Sequence, residues 1–173
     1  REWPVGDPLD PENRVGALVS KSHFEKVSSY LGGEHRAVLG GGTTGGAYVE
    51  PTVLDVSARD ATVSREEVFG PVLAVLTVDS YDEAIALAND TDYGLAASIF
   101  TANIKRALRG ARNIRAGTVT VNSFGEGDIT TPFGGFGQSG FGGRDNGIHA
   151  HDQYTQIKTI WVSLEDDADQ SVD

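Results

Sequence analysis

Val72-Leu73-Ala74-Val75-Leu76-Thr77-Val78 is apolar almost throughout. Such a run suits a strand buried on both faces, the mark of a parallel sheet. The next fifty residues keep to that plan. Ser80 and Glu83 have capping-box spacing, and Ala84, Ile85, Leu87 and Ala88 supply a helix face. Leu95 to Phe100 reads as the next strand. Asn103 can cap a longer helix with Ile104, Ala107, Leu108, Ala111 and Ile114 at helical spacing. Gly117 closes it, and Thr118 to Asn122 gives another strand. Strand, helix, strand, helix, strand is the rhythm of an α/β fold, a mainly parallel sheet with flanking helices.

The segments on either side are shorter. Pro4, Pro8 and Pro11 punctuate an irregular opening. Ser22 and Glu25 have capping-box spacing for a helix with Phe24, Val27, Tyr30 and Leu31 on one face, ended by Gly32-Gly33. Ala37-Val38-Leu39 is a short strand running into the glycine-rich turn 40–46, and Tyr48 to Val56 is extended. Near the end, a helix is expected over His149 to Tyr154 and a strand over Ile157 to Val162. No internal repeat or second domain is visible.

The run 132–143, PFGGFGQSGFGG, contains G-x-G-x-x-G from Gly135 to Gly140. A dinucleotide turn needs a strand entering the first glycine, a helix opening at the third, and an acidic residue ~20 positions on. Here a long loop with Pro132 intervenes after Asn122, and Phe141, Gly142 and Gly143 come after Gly140. These are poor helix formers. Lys158, Thr159 and Ile160 stand around the acidic position, and there is no Gly-Lys-Ser/Thr after the glycines. The match reads as chance in a glycine-crowded segment. Phe133, Phe136 and Phe141 are expected to pin the loop onto the core instead, making it a pocket wall.

Composition excludes several functions. Lys and Arg number 14 against 25 Asp and Glu, a net charge of −11. Such a surface repels a phosphate backbone, so no nucleic acid is expected as a partner. The basic stripe Lys105, Arg106, Arg109, Arg112 and Arg115 reads as a solvated helix face rather than an anion site. No apolar run is long enough to span a membrane and no leader opens the chain, so a cytoplasmic protein is expected. There is no cysteine, which removes disulfides, cysteine-ligated zinc and a cysteine nucleophile from these residues. His23, His35, His149 and His151 form no H-E-x-x-H pair, so no metal site is expected. There is no methionine either, and the chain is expected to be cut from a longer protein.

Four blocks together carry a family resemblance. They are Arg65-Glu66-Glu67-Val68-Phe69-Gly70-Pro71, then Ala88 to Ala97 (ANDTDYGLAA), then Ala116 to Asn122 (AGTVTVN), then Pro132-Phe133-Gly134-Gly135 with Ser139-Gly140 and Gly143-Arg144. In order and spacing they resemble the aldehyde dehydrogenase superfamily over nearly the whole chain except the acidic tail. Glu126 to Gly135, with Arg144-Asp145 and Ile157 to Trp161, is most similar to the branch acting on γ-glutamyl-γ-aminobutyraldehyde and related aminoaldehydes.

The resemblance implies a chemistry. In the family a cysteine thiolate attacks the aldehyde, hydride passes to NAD or NADP, and a glutamate-activated water releases the acid. The cysteine, that glutamate and the dinucleotide-binding domain all precede the family segment that Arg1 resembles. The chain is therefore expected to be the C-terminal part of such an enzyme, inactive by itself and partnered by the missing N-terminal part. Residues 1–155 would be part of the catalytic domain, 156–164 an oligomerisation strand joining like subunits, and 165–173 an acidic tail, frayed and solvated.

Site residues carry over one by one. Glu67 matches the glutamate that accepts hydrogen bonds from the nicotinamide ribose; alone it would read as a turn carboxylate. Phe69 matches the aromatic beside the nicotinamide, the competing reading being a core anchor. Lys26 stands where some relatives use a lysine on the adenine-side ribose, although an exposed helix lysine is the simpler reading. Phe133 and Phe124 match walls of the aldehyde substrate tunnel. Glu126 and Asp128 depart from an apolar tunnel and would attract a cationic aminoaldehyde; the alternative is solvated loop charge. Asn122 is expected to hydrogen-bond backbone in its turn, and Arg144 to tie down the glycine loop. Two rival functions remain: a non-catalytic relic serving subunit association, and a nucleotide-binding module working through the glycine loop.

Overall fold

Ser20, rather than Ser22, caps the first helix: its Oγ accepts from the amide of His23 at 3.1 Å. Two serines at i and i+2 offer the same signal, and the earlier one starts the helix two residues sooner. The computed structural model describes residues 3–33, 35–125 and 127–164. Its elements are α1 (Lys21–Ser29), β1 (Arg36–Leu39), β2 (Thr52–Asp55), α2 (Thr62–Arg65), β3 (Val72–Val75), α3 (Tyr81–Ala88), β4 (Ala96–Ile99), α4 (Ile104–Asn113) and β5 (Thr118–Val121). Two 3-10 turns complete the order, Gly137–Ser139 and Ile148–Gln153; the second replaces the helix expected at 149–154.

The other two caps form as the spacing predicts. Ser80 Oγ accepts from Glu83 N at 3.1 Å, while the Glu83 carboxylate takes the amide of Asp79 at 2.7 Å. Asn103 Oδ1 accepts from Arg106 N at 3.1 Å and starts α4. Each such cap is worth about 1 kcal/mol, because it satisfies a helix N–H that otherwise has no partner.

The chain divides into two compact units, 1–84 and 85–173, with the division inside α3. In the first, β1, β2 and β3 form a sheet in that order. β2 runs antiparallel to β1 and parallel to β3, with Thr52 opposite Val72 and Asp55 opposite Val75. The core here gathers Val27, Tyr30, Val49, Leu54, Val56, Val63 and Val68. In the second unit β4 and β5 pair in parallel, Ala96 opposite Thr118 and Ile99 opposite Val121.

The α/β class and the predominance of parallel pairing are as expected, but the strands form two sheets rather than one. β3 also departs from its sequence signature. It stops at Val75, lies at the sheet edge, and leaves Leu73 59% exposed. An apolar run records which residues need cover and does not say whether the same stretch of chain supplies it. Likewise Ile157 to Val162 is no strand within this chain: it pairs with nothing among the described residues, and Ile157 and Trp161 are fully or almost fully exposed. The acidic tail 165–173 lies outside the described residues.

Candidate functional site

In the first unit the site is built by one stripe of α1. His23, Lys26, Val27 and Tyr30 recur at i, i+3, i+4 and i+7 and so share a helix face. That face meets the loop joining α2 to β3. The Lys26 ammonium donates to the backbone carbonyl of Glu67 at 3.2 Å. The Tyr30 hydroxyl donates to the Glu66 carboxylate at 2.6 Å. The His23 and Phe69 rings lie 6.0 Å apart, tilted by 38°. At Gly70 an added Cβ would stand 2.9 Å from both Val27 methyls, so only glycine lets the loop run this close to the helix.

Lys26, Glu67 and Phe69, chosen separately from the sequence, are thus brought to one place. The Glu67 side chain and the Phe69 ring, 71% exposed, both remain open to solvent. Phe69 is therefore no core anchor. It sits at φ +57, a left-handed conformation that is strained for a bulky aromatic residue. Sequence reasoning missed Glu66 and the role of Tyr30. The available signal was a tyrosine on the buried stripe, since a buried phenol needs a hydrogen-bond partner.

The candidate substrate residues belong to the second unit, on the loop after β5. Asn122 turns the chain at φ +53, and its amide side chain bonds the backbone of Thr101 in both directions, at 2.8 and 3.0 Å. Phe124 is 92% exposed. Glu126 lies outside the described residues. Asp128 opens a tight turn: its Oδ1 accepts from both the amide and the hydroxyl of Thr130 at 2.8 Å. Those bonds favour the ionised form and hold its carboxyl below the usual range, so the group is charged at neutral pH. Phe133, half-buried, exchanges backbone hydrogen bonds with Asp145 at 2.6 and 2.7 Å. Gly147 N donates to Ile129 O at 2.9 Å, which closes the loop at its base.

Three amides of the G-x-G-x-x-G segment are already bonded, two of them to the 92–94 stretch and one within the segment. Phe136 N donates to Gly94 O at 2.9 Å, Gln138 N to Asp92 O at 2.8 Å and Ser139 N to Phe136 O at 3.1 Å. Gly94 N is in turn held by Ser139 Oγ at 3.1 Å. Amides committed in this way are not free to cradle a phosphate. The aromatic pinning expected of this loop holds only in part: Phe133 is half-buried, Phe136 is half-exposed and Phe141 is fully exposed. Backbone bonds do most of the pinning. The Arg144 guanidinium assists, 5.1 Å from the centre of the Phe136 ring and donating to Gly143 O at 2.8 Å.

Comparison with known proteins identifies the class. The aldehyde dehydrogenase family model matches residues 1–160, and the chain belongs to that family. It is 61% identical over 166 residues, covering 94% of this chain, to an aminoacetaldehyde dehydrogenase from Pseudomonas aeruginosa. Among solved structures, an indole-3-acetaldehyde dehydrogenase from P. syringae in complex with NAD+ and IAA superposes with a TM-score of 0.87 at 49% identity, over 94% of this chain and 34% of that one. A γ-glutamyl-γ-aminobutyraldehyde dehydrogenase from Burkholderia cenocepacia does so with a TM-score of 0.84 at 48% identity, over 90% of this chain and 33% of that one. The chain spans about a third of the length of the relatives it matches, 34% of the P. aeruginosa enzyme. Among the described residues no helix is long and apolar enough to cross a membrane, and no group of three or more His, Asp or Glu could hold a metal ion.

Proposed function

We propose that this chain is the C-terminal part of an NAD(P)-dependent aldehyde dehydrogenase that oxidises an amino-substituted aldehyde to its carboxylic acid. The observation that carries this reading is the meeting of Lys26, Glu67 and Phe69 around one loop, although Lys26 and Glu67 are 41 residues apart. The residues suit a dinucleotide. The Glu67 carboxylate has two acceptor oxygens in solvent, as a vicinal diol requires, and the exposed Phe69 ring is a flat apolar surface for a heteroaromatic ring. When bound, the nicotinamide supplies the hydride acceptor. Glu67 and Phe69 would orient its ribose and ring, and Lys26, whose ammonium is bonded to the Glu67 carbonyl, would brace the loop that carries them.

Phe133 and Phe124 are assigned to the tunnel that admits the aldehyde, with Glu126 and Asp128 attracting its ammonium group. The names of the P. aeruginosa and B. cenocepacia relatives support an amino-substituted substrate. With no cysteine, the 173 residues alone have no thiol nucleophile and are inactive in this reading. The apolar segment Ile157 to Val162 is assigned to pairing between subunits, because its exposed isoleucines, tryptophan and valine need cover that the described residues do not give.

The substrate assignment has a direct test in the whole enzyme carrying this segment. Glu126→Gln together with Asp128→Asn raises KM about threefold to tenfold for amino-substituted aldehydes and leaves neutral aldehydes almost unchanged. An asparagine oxygen still accepts the Thr130 bonds, so the turn survives the loss of charge. Equal effects on the two substrate classes remove both carboxylates from recognition.

A further inference from the structure

The contacts between α1 and its loop step in order: Tyr30 at the helix C-cap meets Glu66, Lys26 meets Glu67, and His23 in the first turn meets Phe69. Glu66 is extended, at φ −104 and ψ 149. In extended chain successive side chains point to opposite sides. Both glutamates are exposed overall, but a Glu66 carboxylate bonded to the Tyr30 phenol on α1 directs the next side chain, Glu67, to the other side of the extended chain. The Lys26 bond to the Glu67 carbonyl fixes the same peptide from the backbone side. Two residues on, Phe69 is held at φ +57, which an aromatic residue keeps only where its surroundings impose it. Tyr30 is itself 8% exposed and part of the core, so the strut is anchored in rigid structure at one end.

We propose that Tyr30 is a positioning residue for the dinucleotide site: its phenol, bonded to Glu66, locks the 66–70 loop in the conformation that presents Glu67 and Phe69 to the cofactor. The inference rests on the reading of Glu67 and Phe69 as cofactor contacts. It adds a residue that touches neither cofactor nor substrate. A hydrogen bond to a carboxylate is among the stronger ones, and Tyr→Phe removes it while keeping the ring that fills the core.

The test uses the whole enzyme carrying this segment, with NAD+ as the probe. Tyr30→Phe is expected to raise the NAD+ Kd about tenfold, as loss of such a bond predicts. The aldehyde KM at saturating NAD+ is expected to stay within about twofold, because the strut is assigned to cofactor binding alone. Glu66→Gln keeps an acceptor oxygen and binds NAD+ close to normally, whereas Glu66→Ala matches Tyr30→Phe. The double variant Tyr30→Phe/Glu66→Ala is no weaker than either single one, as two ends of one bond require. An unchanged NAD+ Kd in Tyr30→Phe, whether or not the melting temperature falls, overturns the proposal, and so does Glu66→Gln binding as weakly as Glu66→Ala. Glu67→Gln in the same series separates the two layers. If Glu67→Gln weakens NAD+ binding and Tyr30→Phe does not, the strut alone fails. If Glu67→Gln leaves NAD+ binding unchanged, the cofactor reading itself fails.

Discussion

Glu67→Gln in the whole enzyme is expected to lower kcat/KM for the dinucleotide by about tenfold to a hundredfold, with little effect on folding stability. A carboxylate facing a vicinal diol accepts two charge-assisted hydrogen bonds, each worth about 1.5–3 kcal/mol. The amide keeps one acceptor oxygen and loses the charge. Stability should hold because the Glu67 side chain is exposed and its bond to Lys26 uses the backbone carbonyl, which the substitution retains. Cofactor titration at saturating aldehyde, beside a thermal melt, reads both quantities. A variant with normal cofactor kinetics would remove Glu67 from the site and restore its reading as a turn carboxylate.

The second large effect is on stability and falls on the glycine loop. At Gly117, just before β5, an added Cβ would collide with the backbone carbonyl of Gly134. The loop cannot back away cheaply. Gly134 already stands where its own Cβ would be 2.7 Å from Gly143 O, and Gly135 is packed against the Ser139 backbone. Gly117→Ala is therefore expected to cost about 3 kcal/mol, the upper part of the usual range for overpacking. That is a large share of a typical stability of about 5–15 kcal/mol. The matched control is Gly32→Ala, where a Cβ meets nothing within 4 Å and φ is not left-handed. Thermal or urea denaturation of both variants in the whole enzyme should show a loss for Gly117→Ala and almost none for Gly32→Ala. Similar stability in the two would mean that the loop is not held against the start of β5.

These two sites also show which parts of the molecule the residues themselves reveal. Signals that act within one turn of chain were readable. Asn103 and the Ser80–Glu83 pair cap their helices, β2 to β5 fall inside the predicted stretches and β1 starts one residue before its own, and Asn122 makes the backbone bonds its turn position suggests. The family blocks were readable because they are strings of residues. Contacts between distant segments were not. Nothing local distinguishes Glu66, whose carboxylate bonds Tyr30 from 36 residues away, from Glu67, whose backbone carbonyl is what Lys26 holds. The apolar run in β3 and the phenylalanine at 141 told that cover is needed, but exposure depends on what lies against them, and local sequence does not contain that. The segment Ile157 to Val162 has the residues of a strand and, among the described residues, no partner to make it one.

In the proposed function these residues complete an aldehyde dehydrogenase site without holding its nucleophile. NADH formation from an aldehyde, measured side by side for the 173-residue chain and for the whole enzyme containing it, tests that most directly. No NADH is expected from the chain alone, and the whole enzyme should form NADH in a reaction abolished by a thiol reagent. NADH production by the isolated chain would contradict the claim.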